Sequence, residues 1–132
     1  MAASNGQKKP SRKFILGNRY HVVVVGVNFA GLKAVSALPD SFKVTAVDAG
    51  VWFEFLPNIH ELLSGVKKPE NLRLPRGKLV EGFGHKFRND FVETIEPEKN
   101  RLLTAGGKRL YFDFCIRSEE RRVGKECATG CR

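Results

Sequence analysis

Cysteine is absent from the first 114 residues, and its three copies, Cys115, Cys127 and Cys131, all lie at the end of the chain. No CxxC occurs, and the C-x3-C pair at the end has no histidine or further cysteine near it, so a zinc site is excluded and no metal ligand set is expected. This usage fits a reduced, intracellular chain, cytoplasmic or mitochondrial. Long apolar runs are also missing. Nothing approaches the roughly 20 residues of a membrane-spanning helix. The basic N-terminus is not followed by the apolar core of a secretory signal.

Acidic residues are missing from residues 1–19, which hold five Lys or Arg. Pro10 and Gly17 interrupt any periodicity there, so residues 1–19 read as a disordered basic tail, with a faint likeness to an organelle transit peptide. The net charge of +9 would suggest nucleic acid, but its location argues otherwise. Residues 20–116 carry 13 basic against 11 acidic residues, so the body is nearly balanced and no nucleic-acid partner is expected.

What is present starts at Tyr20. Val22–Val25 are four consecutive β-branched residues, the pattern of a strand buried on both faces of a parallel sheet. Gly26 ends it. Phe29 to Leu38 reads as a short apolar helix stopped by Pro39-Asp40, and Phe42 to Val47 as a second strand closing on Asp48. The connection has room for a helix, so the two strands should be parallel. Trp52, Phe53, Phe55 and Leu56 form an aromatic-rich cluster expected to pack beneath the sheet. A short helical segment, Ile59 to Leu63, follows and ends at Gly65. His60 beside Glu61 reads as a surface position in preference to an acid–base pair. A Lys/Pro/Arg-rich connection over 66–77 and a weak helix over 77–87 come next. From Phe91 the pattern is an antiparallel meander: strands over 91–95, 101–104 and 108–114, joined by a turn at 96–100 and by Gly106-Gly107.

The segment G-V-N-F-A-G, Gly26 to Gly31, keeps the spacing of G-x-G-x-x-G with Asn28 in place of the middle glycine. Each position has a physical task. Gly26 makes the tight turn out of the strand. The middle residue must let the backbone approach a pyrophosphate, and Gly31 lets the helix pack on the strand. The helix N-terminus offers unpaired N–H groups and partial positive charge to phosphates. Asp48, 22 residues after Gly26, sits where an acid accepts hydrogen bonds from ribose hydroxyls. Asn28 either donates a hydrogen bond to phosphate or occupies its space; the residues leave both open.

VVVVGVNFAGL resembles the first strand and turn of the two-dinucleotide-binding-domain flavoproteins. Val47-Asp48 with Phe55, Pro57, Glu61, Ser64 and Gly65 is similar to the type II NADH dehydrogenase and apoptosis-inducing-factor-like branch, as is Val92-Glu93-Thr94-Ile95-Glu96. The resemblance covers residues 20–116. It implies an α/β fold: the Rossmann-like βαβ start of an FAD-binding domain, with a three-stranded antiparallel meander, incomplete as it stands. It also implies that the chain is the N-terminal part of a longer FAD-dependent NAD(P)H oxidoreductase and inactive alone. Gly26, Val27, Asn28, Ala30 and Gly31 would line the pyrophosphate of FAD, Asp48 the adenosine ribose, and Val92 the adenine through its backbone. The redox-disulfide members of the family carry a CxxxxC pair after the first helix, which this chain lacks. Hydride from NAD(P)H would therefore pass to the flavin and electrons onward to a quinone or similar acceptor, with peripheral membrane association compatible and no protein side chain acting catalytically.

Residues 117–127, RSEERRVGKEC, resemble the translation of a sequencing-library adapter, so 117–132 are expected to be a non-native tail. Two other readings stand beside the flavoprotein one. The chain could be an NAD(P)-binding Rossmann module, which the meander disfavours, or a nucleotide-free βαβ interaction domain.

Overall fold

The computed structural model describes residues 19–118. The expectations for residues 1–18 and 119–132 fall outside the described residues. At the centre is a four-stranded parallel sheet of β1 (His21–Val25), β2 (Lys43–Asp48), β5 (Lys86–Asn89) and β9 (Phe114–Arg117), in the order β5-β2-β1-β9. Val22 to Val25 of β1 pair with Val44–Val47 on one side and Phe114–Arg117 on the other. Alternate side chains then enter two cores, as strand geometry requires. Val22 and Val24 join Val44 and Ala46 under α1 (Phe29–Ala37) and α3 (Arg76–Gly82), where Val35 and Val80 are fully buried. Val23 and Val25 join Val47 on the opposite face, beneath Leu102 and Phe112.

That second face is covered by the meander β6 (Val92–Glu96), β7 (Arg101–Thr104) and β8 (Arg109–Tyr111), which pair antiparallel as the sequence suggested. The result is a three-layer arrangement of helices, parallel sheet and meander. Between β2 and β5 the chain makes a small antiparallel pair, β3 (Trp52–Glu54) with β4 (Arg73–Pro75), enclosing the one-turn helix α2 (His60–Leu63).

Three expectations need correction. The helix expected over 77–87 is α3, and it stops at Gly82. Gly84, at φ 79°, turns the chain, and Lys86–Asn89 form a strand on the sheet edge. The third meander strand ends at Tyr111. Asp113 accepts from the His21 N–H through Oδ2 at 2.9 Å and donates its own N–H to the His21 carbonyl at 2.8 Å, so the chain crosses to the parallel sheet and continues as β9. Arg117, the first residue of the expected non-native tail, pairs with Val25 in that strand. Of the three aromatic rings in the cluster, Phe53 is buried. Trp52 and Phe55 are 50% and 39% exposed, and Phe53 and Phe55 flank Phe29 at the start of α1 with ring centroids 5.0 and 5.8 Å away.

His21 fastens the layers together. Its Nδ1 lies 2.6 Å from the Tyr111 carbonyl and its Nε2 2.8 Å from the Thr45 hydroxyl. A carbonyl only accepts, so Nδ1 carries the hydrogen and Nε2 accepts from Thr45. Burial pushes the imidazole below its ordinary range, against the opposing pull of the Tyr111 carbonyl. The unfolded chain therefore binds the proton first as pH falls through about 6.5. Stability should decline from that point until the folded imidazole also titrates. Urea unfolding across pH 7.5 to 5 should show the decline, and His21→Gln should flatten it. A wild-type chain as pH-insensitive as the variant would contradict this role.

Candidate functional site at the carboxyl ends of β1 and β2

The site begins with two backbone turns. Gly26 adopts φ 87°, a conformation that L side chains avoid, and its N–H donates to the Val47 carbonyl at 2.9 Å. The chain thus leaves β1 sharply and enters α1 within three residues. Gly31 faces the turn so closely that a Cβ placed on it would lie 1.8 Å from the Gly26 carbonyl oxygen. Only the missing side chain lets α1 sit against the end of β1.

Asn28 is the N-cap of α1, in extended conformation, and its carbonyl accepts from Leu32 N–H at 2.7 Å. Its side chain makes no cap hydrogen bond. An N-cap asparagine ordinarily bonds back to the N2 or N3 N–H. Here the N–H groups of Ala30 and Gly31 have no such partner, and they face the carboxyl edge of the sheet with the positive end of the helix dipole.

Asp48 ends β2 and is drawn into the turn. Its Oδ2 accepts from Val27 N–H at 2.7 Å, and its Oδ1 accepts from Gly50 N–H at 2.7 Å. The third partner is Arg76, the first residue of α3. Its guanidinium donates from Nη1 to Asp48 Oδ1 at 2.7 Å, from Nε to the Val27 carbonyl at 3.1 Å, and from Nη2 to Asn28 Oδ1 at 2.5 Å. Arg76 is only 9% exposed, and this three-way fork is what makes its burial tolerable.

Of the sequence-predicted residues, Gly26, Val27, Asn28, Ala30, Gly31 and Asp48 come together at this one edge. The Val27 N–H, however, is already taken by Asp48. Val92 lies apart, at the start of β6, but the chain just before it returns to the site. Asp90 N–H donates to the Asp48 carbonyl at 3.1 Å, and Asn89 Nδ2 donates to the carbonyls of Asp48 and Ala49. Arg76 was invisible in the sequence, because an arginine in a Lys/Pro/Arg-rich stretch carries no sign that it will be buried. Ser118, just past β9, also closes on the site. Its N–H donates to the Val25 carbonyl at 2.8 Å, while its buried Oγ has no hydrogen-bond partner among the described residues and lies 3.2 Å from where a Gly31 Cβ would stand.

The edge is a topological switch point, since β2 and β5 lie to one side of β1 and β9 to the other. Ligands of open parallel sheets bind in the crevice beyond the strand ends at such a point. His60 is exposed on α2, and Glu61 pairs instead with Lys67 at 2.6 Å, so no His60–Glu61 pair forms. No cluster of three metal-ligating side chains and no membrane-length apolar helix occurs among the described residues. Cys115, half-buried in the core beneath the meander, has its thiol pushed up by burial, which makes it a poor nucleophile.

No family model matches the chain. Among characterised proteins it is similar to the sulfide-quinone reductase of Aquifex aeolicus, at 30% identity over 100 residues, covering 73% of this chain and 23% of that protein. The crystal structure of sulfide:quinone oxidoreductase from Aquifex aeolicus superposes with a TM-score of 0.70 and 28% identity, covering 78% of this chain and 25% of the other. NDH2 from Plasmodium falciparum, in complex with NADH, shares the fold with a TM-score of 0.65 at 13% identity, covering 80% of this chain and 24% of the other. NADH:rubredoxin oxidoreductase from Clostridium acetobutylicum does so with a TM-score of 0.59 at 13% identity, covering 81% and 30%. The chain thus spans about a quarter of the length of these relatives.

Proposed function

Because the chain belongs to the family of FAD/NAD(P) two-domain oxidoreductases, we propose that its β1–α1–β2 edge holds the ADP half of FAD in an enzyme that reduces a quinone or similar acceptor. The observation that carries this reading is the Gly26–Gly31 contact, where a single added carbon would meet the Gly26 oxygen at 1.8 Å. Packing this tight sets the N-terminus of α1 at the switch point, where a pyrophosphate would receive the N–H groups of Ala30 and Gly31.

The residues present fit the cofactor in three respects. The turn is preformed, the Asn28 side chain leaves the helix N-terminus uncapped, and the buried Ser118 Oγ beside Gly31 has no hydrogen-bond partner among the described residues. Asp48 would take the ribose hydroxyls, although both its oxygens already accept from protein donors. Oδ2, which accepts from the Val27 N–H, has capacity for a further donor, so the two roles are compatible. Val92 would stand near the adenine. The flavin, when bound, supplies the redox chemistry, and this chain's residues bind and orient its nucleotide end.

NAD(P)H is the electron donor in the reading drawn from the sequence. Sulfide is a second reading, favoured by the relative at 30% identity, a sulfide-quinone reductase. Titration of the chain with FAD and with FMN, followed by flavin fluorescence, tests the nucleotide assignment. FAD should bind and FMN should not, because FMN lacks the AMP moiety and keeps only one of the two phosphates. Equal binding of both, or tighter binding of NADH than of FAD, would overturn it. In the whole protein, bleaching of the flavin by NADH or by sulfide separates the two donors.

A further inference from the structure

Asn28 occupies the position where the glycine pattern has its middle glycine, and it either obstructs a pyrophosphate or donates to it. The contacts of Arg76 bear on that choice. A guanidinium has hydrogen-bond donors and no acceptor, so the atom of Asn28 held 2.5 Å from Nη2 is the amide oxygen. The Asn28 –NH2 group then points away from Arg76. The same contact keeps Oδ1 from the Ala30 and Gly31 N–H groups, which it would otherwise cap.

Arg76 is itself held in register. Its Nε is fixed on the Val27 carbonyl and its Nη1 on Asp48, and a Cβ at Gly50 would stand 2.2 Å from Nη1. A nine-tenths-buried guanidinium with three directed bonds cannot swing to let the amide flip.

Resting on the proposed ADP-half site, we infer that Arg76 is a positioning residue that turns Asn28 into a phosphate donor: it holds the amide oxygen, which leaves the amide N–H groups and the uncapped N-terminus of α1 for the pyrophosphate. Asn28 thereby does by side-chain donation what a middle glycine does by leaving space. The ligand class is a nucleoside diphosphate or the diphosphate of a dinucleotide.

Calorimetric titration of the full chain with ADP and with adenosine tests this. Wild-type protein should prefer ADP. Asn28→Gly should weaken ADP about tenfold, the worth of one hydrogen bond to a charged group, and leave adenosine unchanged. Asn28→Asp should weaken ADP further, because it keeps the contact with Arg76 but presents a second oxygen to the phosphates. Arg76→Lys loses the fork and should lower the preference for ADP over adenosine, with circular dichroism reporting that the chain is folded. Added to Asn28→Gly, it should lower that preference no further, since its effect runs through Asn28. Unchanged or tighter ADP binding by Asn28→Gly would make Asn28 an obstruction and overturn the inference while the ADP-half reading stands. Wild-type protein that ignores millimolar ADP would overturn that reading, and the inference with it.

Discussion

Replacing Asp48 with alanine should cost about 3–5 kcal/mol of stability, because it leaves a nine-tenths-buried guanidinium without its counter-charge. The same change removes the acceptor of the Val27 and Gly50 N–H groups, each 2.7 Å from a carboxylate oxygen. Against the 5–15 kcal/mol typical of a domain, this is a large share. The cost lies in breaking the pair more than in lacking it. Asp48→Ala combined with Arg76→Leu, which removes both charges, should therefore unfold at a higher urea concentration than Asp48→Ala alone. Neither protein should bind ADP. If Asp48→Ala alone cost less than about 1 kcal/mol, as a surface ion pair would, the buried fork would be wrong.

Gly31→Ala carries the second large effect. Its Cβ would overlap the Gly26 carbonyl oxygen at 1.8 Å, a backbone atom that cannot swing aside as a flexible side chain could. Helix α1 would have to move off β1, opening the core around Val35, Val22 and Val24. A loss of about 3 kcal/mol is expected, at the upper end of overpacking. Gly82→Ala is the control. It lies at the end of α3 with nothing within 4 Å of the added carbon, and without positive φ, so it should be neutral or stabilise by up to about 1 kcal/mol. Urea unfolding of the two variants should move in opposite directions or, at the least, by very different amounts. Equal small effects would show that α1 does not press on the turn.

These two sites show what can be read from a sequence and what cannot. The valine run and the two glycines act locally. Four β-branched residues fit only a pleated, buried strand, and the glycine spacing reports a turn and a close approach between neighbouring elements. Asp48 follows from the end of the second strand. Arg76 acts across 48 and 28 residues of sequence, on Asn28 and Asp48, and nothing in Leu74-Pro75-Arg76-Gly77 signals it. The edge strand Lys86–Asn89 escaped notice for a related reason. Only Phe87 is apolar there, and the segment becomes a strand because β2 offers it backbone partners. The break at Phe112-Asp113 was hidden by a regular alternation, Leu110, Phe112, Phe114, that spans two strands in different sheets. Its cause is the reciprocal pairing of Asp113 with His21, a contact 92 residues apart in sequence.

The proposed site is shared between a local motif and one distant arginine. The N-terminus of α1 would attract the phosphates, while Asp48 and Arg76 would set the shape of the crevice and offset each other in charge. That division would explain why a glycine fingerprint with an asparagine in its middle is compatible with the proposed function, and why the asparagine and arginine should be read together.

The carboxyl edge of β1 and β2 is proposed to receive the ADP half of a dinucleotide. A titration of the nitrogen-15-labelled chain with ADP, followed residue by residue through its amide resonances, tests it most directly. The largest shifts are expected at Gly26, Ala30 and Gly31 and in the Asn28 side-chain amide, with smaller ones at Asp48 and Gly50. Shifts confined to the outer strands of the meander, or no shifts at saturating ADP, would contradict it.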